Sequence, residues 1–183
     1  MEEDLTNSYL IEEYLEGESL YALVKRLGSL SMKTAAEIGI QVCRLIQFMN
    51  TADNPILYLD LQPKNLLVCN GAVRLIDFDH AQYAEDVTAF GERYGTIGFA
   101  APEQYRGEPL DCRTDVYAIG ALLYYMCRGE PPGNGFCLGD RSGTWELDRI
   151  IRGCMAAEKD GRYQNAGKVA VSYTHLRAHE TVL

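Results

Sequence analysis

Apolar and polar positions follow different periods along this chain, and each change of period marks an element. Leu66-Leu67-Val68-Cys69 and Ala72-Val73-Arg74-Leu75-Ile76 are short apolar runs on either side of Asn70-Gly71. Asn and Gly tolerate positive φ, so this spacing predicts two strands joined by a two-residue type I′ turn. Counting outward from the turn sets Cys69 opposite Ala72, Val68 opposite Val73 and Leu66 opposite Leu75. Ala35, Ile38, Val42, Leu45, Ile46 and Met49 keep helical spacing and predict a core helix from a Ser31 cap to about Asn50. Ser19 to Leu27 reads as a shorter helix closed by Gly28. Val116 to Cys127 is hydrophobic nearly all round, which predicts a helix enclosed on most sides. Trp145 to Ala157 is amphipathic, with Leu147, Ile150, Ile151 and Cys154 inward. Ser8 to Glu16 alternates in places (Tyr9, Ile11, Glu13, Leu15) and predicts a strand ending at Gly17. Residues 80–93 have the composition of a mobile loop, and Gly129 to Gly143 reads as a second loop.

The hairpin register sends Asn65 and Asp77 out together at the open end of the ribbon. An amide oxygen and a carboxylate converging there suit Mg²⁺, which accepts hard oxygen ligands and takes its remaining ones from substrate phosphates. Asp60 lies five residues before Asn65, in a segment that Pro63 keeps out of a regular helix. Its carboxylate is therefore free to orient or deprotonate a hydroxyl nucleophile. Asp, Asn, a hairpin and then Asp-Phe is the order in which one superfamily of phosphoryl-transfer enzymes presents base and metal ligands.

Tyr58-Leu59-Asp60-Leu61-Gln62-Pro63-Lys64-Asn65 and Asp77-Phe78-Asp79 resemble the catalytic loop (His-Arg-Asp-Leu-Lys-Pro-x-Asn) and metal segment (Asp-Phe-Gly) of eukaryotic-type protein kinases. The run from Tyr94 through Thr96 and Ala101-Pro102-Glu103 to Tyr105 resembles the end of a kinase activation segment, and Arg113 to Gly120 the start of the central large-lobe helix. Pro63 and Thr96 resemble the serine/threonine-specific, bacterial-type members. The resemblance implies an α+β fold: a mainly helical kinase large lobe over residues 18–170 with a short β-hairpin at the catalytic site. Residues 1–17 would be the last strand and hinge of a small lobe that is otherwise almost entirely missing. Without a Gly-rich loop, a strand Lys and its partner Glu, the chain as given is not expected to transfer phosphate.

The same resemblance implies ATP and Mg²⁺ as cofactors and a protein as substrate. Asp60, Gln62, Asn65 and Thr96 would be catalytic, with Thr96 touching Asp60. Glu13, Leu15, Leu67 and Asp77 would bind the nucleotide, Glu12 would be the gatekeeper, and Asn65 and Asp77 would hold the metal. Asp115 would accept hydrogen bonds from the catalytic-loop backbone, and Arg162 would pair with Glu103. Several positions depart from the pattern. Tyr58 replaces His and can keep its packing on Phe78. Leu59 replaces Arg, which removes a phosphate anchor and implies independence from phosphorylation at Thr88 or Tyr94. Gln62 replaces the Lys that neutralises the γ-phosphate, with Lys64 as the neighbouring cation that could compensate. Asp79 replaces Gly and stiffens the metal segment. Two alternatives follow: a pseudokinase that binds a nucleotide or partner without chemistry, and a small-molecule kinase of the aminoglycoside or choline type.

Val171 to Thr181 resembles a translated sequencing-library adapter, so residues 171–183 are expected to be a scar outside the fold, and His175 and His179 to carry no metal role. Composition narrows the rest. A chain of 183 residues, 47% hydrophobic, can bury one sizeable core. A formal charge of −9, without clustered Lys and Arg, argues against nucleic acid as primary ligand. Six scattered cysteines (Cys43, Cys69, Cys112, Cys127, Cys137, Cys154) without a Cys-x-x-Cys pair read as reduced thiols of a cytoplasmic protein. The longest apolar run is too short to span a bilayer.

Overall fold

The structure is a computed structural model that describes residues 13–87, 95–133 and 145–180, with 174–180 described by backbone alone. In chain order the elements are β1 (Glu18–Ser19), α1 (Leu20–Leu27), α2 (Met32–Asn50), β2 (Ile56–Leu57), β3 (Leu66–Cys69), β4 (Ala72–Leu75), β5 (Gln82–Tyr83), α3 (Pro102–Arg106), α4 (Cys112–Arg128), α5 (Trp145–Cys154) and α6 (Ala166–Glu180). Short 3₁₀ turns at Pro63–Asn65 and Lys159–Gly161 connect them.

The two first helices start where their serines can cap them. Ser19 Oγ accepts from the Ala22 N–H and Ser31 Oγ from the Thr34 N–H, each satisfying a donor that the helix leaves unpaired. The apolar stripe of α2 buries Ala35, Ile38, Val42 and Ile46, and α4 is buried from Thr114 to Met126 except at Tyr117. These two helices, with α5 and α6, enclose one hydrophobic core. Gly120 lets α5 approach α4 closely, since a Cβ there would lie 2.5 Å from Cys154 Cβ.

The hairpin has the register read from its turn: Cys69 pairs with Ala72, Val68 with Val73 and Leu66 with Leu75. Asn70 and Gly71 both take positive φ, 49° and 82°, as a type I′ turn requires. Gln41 of α2 fixes this ribbon to the core, donating to Gly71 O and accepting from the Val73 N–H.

Four boundaries differ from the pattern reading. The first strand is at Glu18–Ser19, beyond Gly17, and residues 13–17 are irregular, while 8–12 lie outside the described residues. Pairing decides this: Glu18 and Ser19 find Val68 and Leu67 as partners and make the sheet three-stranded, β1-β3-β4. The segment after Asp79 is not all loop, because Gln82 and Tyr83 pair antiparallel with Leu57 and Ile56. Helix α4 is capped by Asp111, whose carboxylate accepts from the Arg113 N–H, which leaves Asp115 free for another task. Helix α5 stops at Cys154 because the carbonyls of Ala156 and Ala157 turn to the Arg162 guanidinium.

Helix α6 carries into the segment 171–183, and Tyr173 is fully buried against α2, with its ring 3.4 Å from where a Gly39 Cβ would stand. The packing of this helix therefore reaches past residue 170. The side chains of His175 and His179 lie outside the described residues. Cys43, Cys69, Cys112, Cys127 and Cys154 are free thiols, and Cys137 lies outside. No helix among the described residues is long and apolar enough to cross a membrane.

Candidate active site

The loop from Tyr58 to Asn65 is held from below by one buried carboxylate. Asp115, inside α4 and fully buried, accepts from the Tyr58 and Leu59 N–H groups at 3.0 and 2.9 Å and from the Asn50 amide at 3.3 Å. Burial raises its carboxyl pKa, against the lowering effect of those three donors. With both N–H groups gripped, Leu59 sits at φ 65°, a left-handed conformation that a γ-branched residue rarely adopts. Asp77 is likewise at 63°. Strain of this kind, about 1–3 kcal/mol per residue, persists where surrounding contacts over-determine the backbone, and it gathers at functional sites.

Asp60, the next residue, is the point of convergence. Thr96 Oγ1 donates to its Oδ1 at 2.8 Å, and the amides of Gln62 and Asn65 both donate to its Oδ2 at 2.8 Å. The Asn65 amide also reaches the Asp60 carbonyl at 3.0 Å. A carboxylate offers roughly four acceptor sites. Three are filled, and the one left is on Oδ1, beside Thr96. Thr96 is presented by two glycines with positive φ: a Cβ on Gly95 would meet Ala100 Cβ at 2.3 Å, and one on Gly98 would meet Pro131 Cβ at 2.8 Å.

Glu13, Leu15, Leu67 and Asp77 line one cavity of about 690 Å³, together with Ile76, Phe78 and Asp79. Phe78 packs edge-on against Tyr58, with ring centroids 5.4 Å apart. Burial, then the charges of Asp60 and Asp77, push the Tyr58 hydroxyl pKa up, so it stays a donor, to Ile76 O at 2.5 Å. Asn65 precedes β3 and Asp77 follows β4, which puts both at the same ribbon end, tied by the Ile76 N–H to the Asn65 carbonyl. Their donor chemistry fits a hard divalent cation. The Asn65 amide nitrogen is committed to Asp60, which leaves its oxygen for a ligand, and among the described residues the Asp77 carboxylate carries a 3.4 Å contact from the Asp79 N–H. Among the described residues no group of three or more His, Cys, Asp or Glu could hold a metal ion alone. This pair would need further oxygens from a phosphate-bearing ligand.

Gln62 and Lys64, the residues at and beside the position where the resembled loop carries a cation, are placed differently. The Gln62 amide is neutral and engaged with Asp60, and the Lys64 ammonium lies 5.6 Å from the Tyr21 ring centroid, on the wall of a second cavity.

A buried ion pair fastens the segment that carries Thr96. Arg162 Nη1 and Nη2 donate to the two Glu103 carboxylate oxygens at 2.6 and 2.8 Å, and both side chains are almost wholly buried. Burial opposes ionisation of Glu103, but the Arg162 hydrogen bonds outweigh it and hold the pKa below the ordinary carboxylate range. Asp111 shows the same balance: burial raises it, but the Arg113 and Lys159 hydrogen bonds bring it down to about 2. A depressed carboxylate contributes stability that is present above its ordinary pKa near 4 and lost as pH falls through the folded value. Asp115, raised by burial, has the opposite sign. Its change lies above the ordinary carboxylate pKa, so below pH 4 the depressed groups set the sign, and thermal melts should show the midpoint falling between pH 4 and pH 2. A midpoint that is level or rising across that window would show that these pairs are not linked to folding.

Two residues of the site carry no visible signal in the sequence, and a third carries a faint one. Gln104 bridges α3 to the catalytic loop, donating to Leu59 O and accepting from the Ala101 N–H, both at 2.9 Å. Asn50 donates to both Ile56 O and Asp115. Asp111 caps α4, and an Asp three residues before Thr114 was the one cue available. Glu12, Thr88 and Tyr94 lie outside the described residues.

Comparison with known proteins agrees with this arrangement. Residues 1–164 match the protein kinase domain family. Among curated relatives, the chain is 30% identical over 198 aligned positions to the serine/threonine-protein kinase PknB of Mycolicibacterium smegmatis, covering 94% of the chain and 30% of the relative. It is 34% identical over 194 positions to PknB of Mycobacterium tuberculosis, covering 94% and 31%, and 28% identical over 196 to PknB of Mycobacterium leprae, covering 93% and 30%. The chain thus spans about 30% of the length of the relatives it matches. With a carboxylate-centred loop beside a ribbon end that carries an amide and a carboxylate, and a family model matched over most of its length, this chain belongs to the protein kinase domain family.

Proposed function

We propose that this chain supplies the catalytic lobe of a serine/threonine protein kinase that transfers the γ-phosphoryl group of ATP to protein hydroxyls in the cytoplasm. Residues 18–170 would be that lobe, and 1–17 the end of the lobe that completes the nucleotide site. The observation that carries the reading is the set of three donors on Asp60, which leaves one acceptor position on Oδ1. An incoming alcohol can donate its hydrogen bond there, and Asp60 then orients the oxygen and takes up the proton as the phosphoryl group is transferred. Thr96 holds the same oxygen of Asp60 and keeps the carboxylate from rotating away. Glu13 and Leu15 would border the base, and Leu67 would lie under it. Asn65 and Asp77 would hold Mg²⁺, which when bound neutralises phosphate charge. The acidic composition supports a protein acceptor over nucleic acid.

The test is transfer of γ-labelled phosphate from ATP to a protein mixture by the full-length parent, with Asp60→Ala as background. Labelled phosphoserine and phosphothreonine are expected. A second reading, a nucleotide-binding pseudokinase, is favoured by Gln62, whose neutral amide is engaged with Asp60 where a cation would face the phosphate. Nucleotide binding without any transfer above the Asp60→Ala background would select it. Transfer to small alcohols but not to protein would select the aminoglycoside or choline type instead.

A further inference from the structure

A second cavity, of about 470 Å³, is lined by Gln62, Pro63 and Lys64 of the Asp60 loop and shares no lining residue with the proposed nucleotide cavity. Tyr21, Lys25, Gln62, Lys64, Thr96 and Glu130 are among its walls. Thr96 is the link, since it lines this cavity and donates to Asp60 Oδ1, the oxygen with the open acceptor site. An acceptor chain lying along this cavity would bring a hydroxyl past Thr96 to Asp60.

Its charge is unusual for the molecule. The chain is acidic, at −9 overall, yet Lys25 and Lys64 place two ammonium groups at 5.5 and 5.6 Å from the centroid of the Tyr21 ring. Lys25 also donates to the Tyr21 hydroxyl at 3.3 Å. Both lysines are exposed, and neither is ion-paired among the described residues. Glu130 is the one carboxylate among the described residues of the cavity wall, against two ammonium groups. Two cations sharing one aromatic ring repel each other, and an anion between or beside them relieves that repulsion. Elsewhere on the surface a lysine finds such a partner: Lys159 sits 3.2 Å from Asp111.

We infer that Lys25 and Lys64 select acceptor segments carrying acidic side chains within a few residues of the serine or threonine. This rests on the protein kinase reading above and adds the class of substrate. Partly exposed ion pairs are individually weak, so the two lysines together should favour an acidic over a basic acceptor peptide by about five- to tenfold in kcat/KM.

The experiment uses the full-length parent and matched peptides with one central serine, flanked by glutamates before it, glutamates after it, or lysines. The acidic-to-basic ratio is the readout, because a general loss of activity cancels from it. The wild type should favour one acidic peptide, the preference should shrink at high salt, and Lys25→Glu/Lys64→Glu should invert it. A ratio near one in the wild type, with serine transfer intact, overturns the inference and leaves the kinase reading standing. So does a preference that the double variant leaves unchanged. If no peptide is phosphorylated, the kinase reading falls, and anisotropy with the same peptides, fluorescein-labelled, decides the rest. Acidic peptide bound by the wild type and released by the double variant upholds the surface, and equal binding of acidic and basic peptides overturns it.

Discussion

Asp60→Asn in the full-length protein is expected to lower kcat by about 10² to 10⁴ while leaving the fold and nucleotide affinity intact. The substitution is nearly isosteric, and the hydrogen bonds around it can be re-satisfied. The new amide oxygen can take the Oδ2 position and accept from Gln62 and Asn65. Its NH₂ then faces Thr96, whose hydroxyl can turn from donor to acceptor. What disappears is proton affinity at Oδ1, the atom with the open acceptor site. Asp60 does not line the cavity of Glu13, Leu15, Leu67 and Asp77, so KM for ATP should stay within about twofold. Steady-state phosphorylation of a serine peptide and a thermal melt of the same preparation separate the contributions. Retention of more than about a tenth of kcat in a folded variant would remove Asp60 from proton transfer. A fall in KM for ATP would place it on the nucleotide instead.

The parts of this site that the sequence revealed are those governed by local rules. The hairpin register follows from a turn type that two adjacent residues dictate, so the positions of Asn65 and Asp77 at one ribbon end were readable by counting. The helix starts at Ser19 and Ser31 obey capping chemistry within three residues. Long-range hydrogen bonds are another matter. The Gln104 contact with Leu59 O joins positions 45 residues apart, and the Asn50 contact with Asp115 spans 65. Glutamines and asparagines are ordinary surface residues in any pattern, and nothing local marks the two that are aimed inward. Resemblance supplied the Asp115 and Arg162 contacts, which spacing alone does not give. Strand position is hard to read for a related reason: Ser8 to Glu16 alternates in places, but among the described residues the partners on β3 lie opposite Glu18 and Ser19, and 13–16 pair with nothing.

Arg162→Ala should be the most destabilising single change at this site, by about 3–5 kcal/mol. All five N–H donors of the guanidinium are in use. Two go to Glu103, and the others to the carbonyls of Arg113, Ala156 and Ala157. The guanidinium also stacks 5.0 Å from the Tyr117 ring centroid. Its removal takes away the ion pair and leaves the buried Glu103 carboxylate with the Thr114 hydroxyl at 3.0 Å. For a chain of this size such a loss corresponds to a melting point lower by about 6–20 °C. Lysine cannot substitute, because a point charge with three donors does not reproduce a planar fork. The companion variant is Glu103→Leu/Arg162→Met, which removes both charges and keeps apolar volume. A buried pair replaced as a unit costs far less than a pair broken, so this double variant should melt well above Arg162→Ala. If the two melt together, the damage comes from lost packing and carbonyl contacts and not from a stranded charge. Consequences for activity should follow the charge as well, since Glu103 and Gln104 share the short helix that reaches Leu59 and follows Thr96. A segment freed from Arg162 loosens its hold on the Asp60 loop.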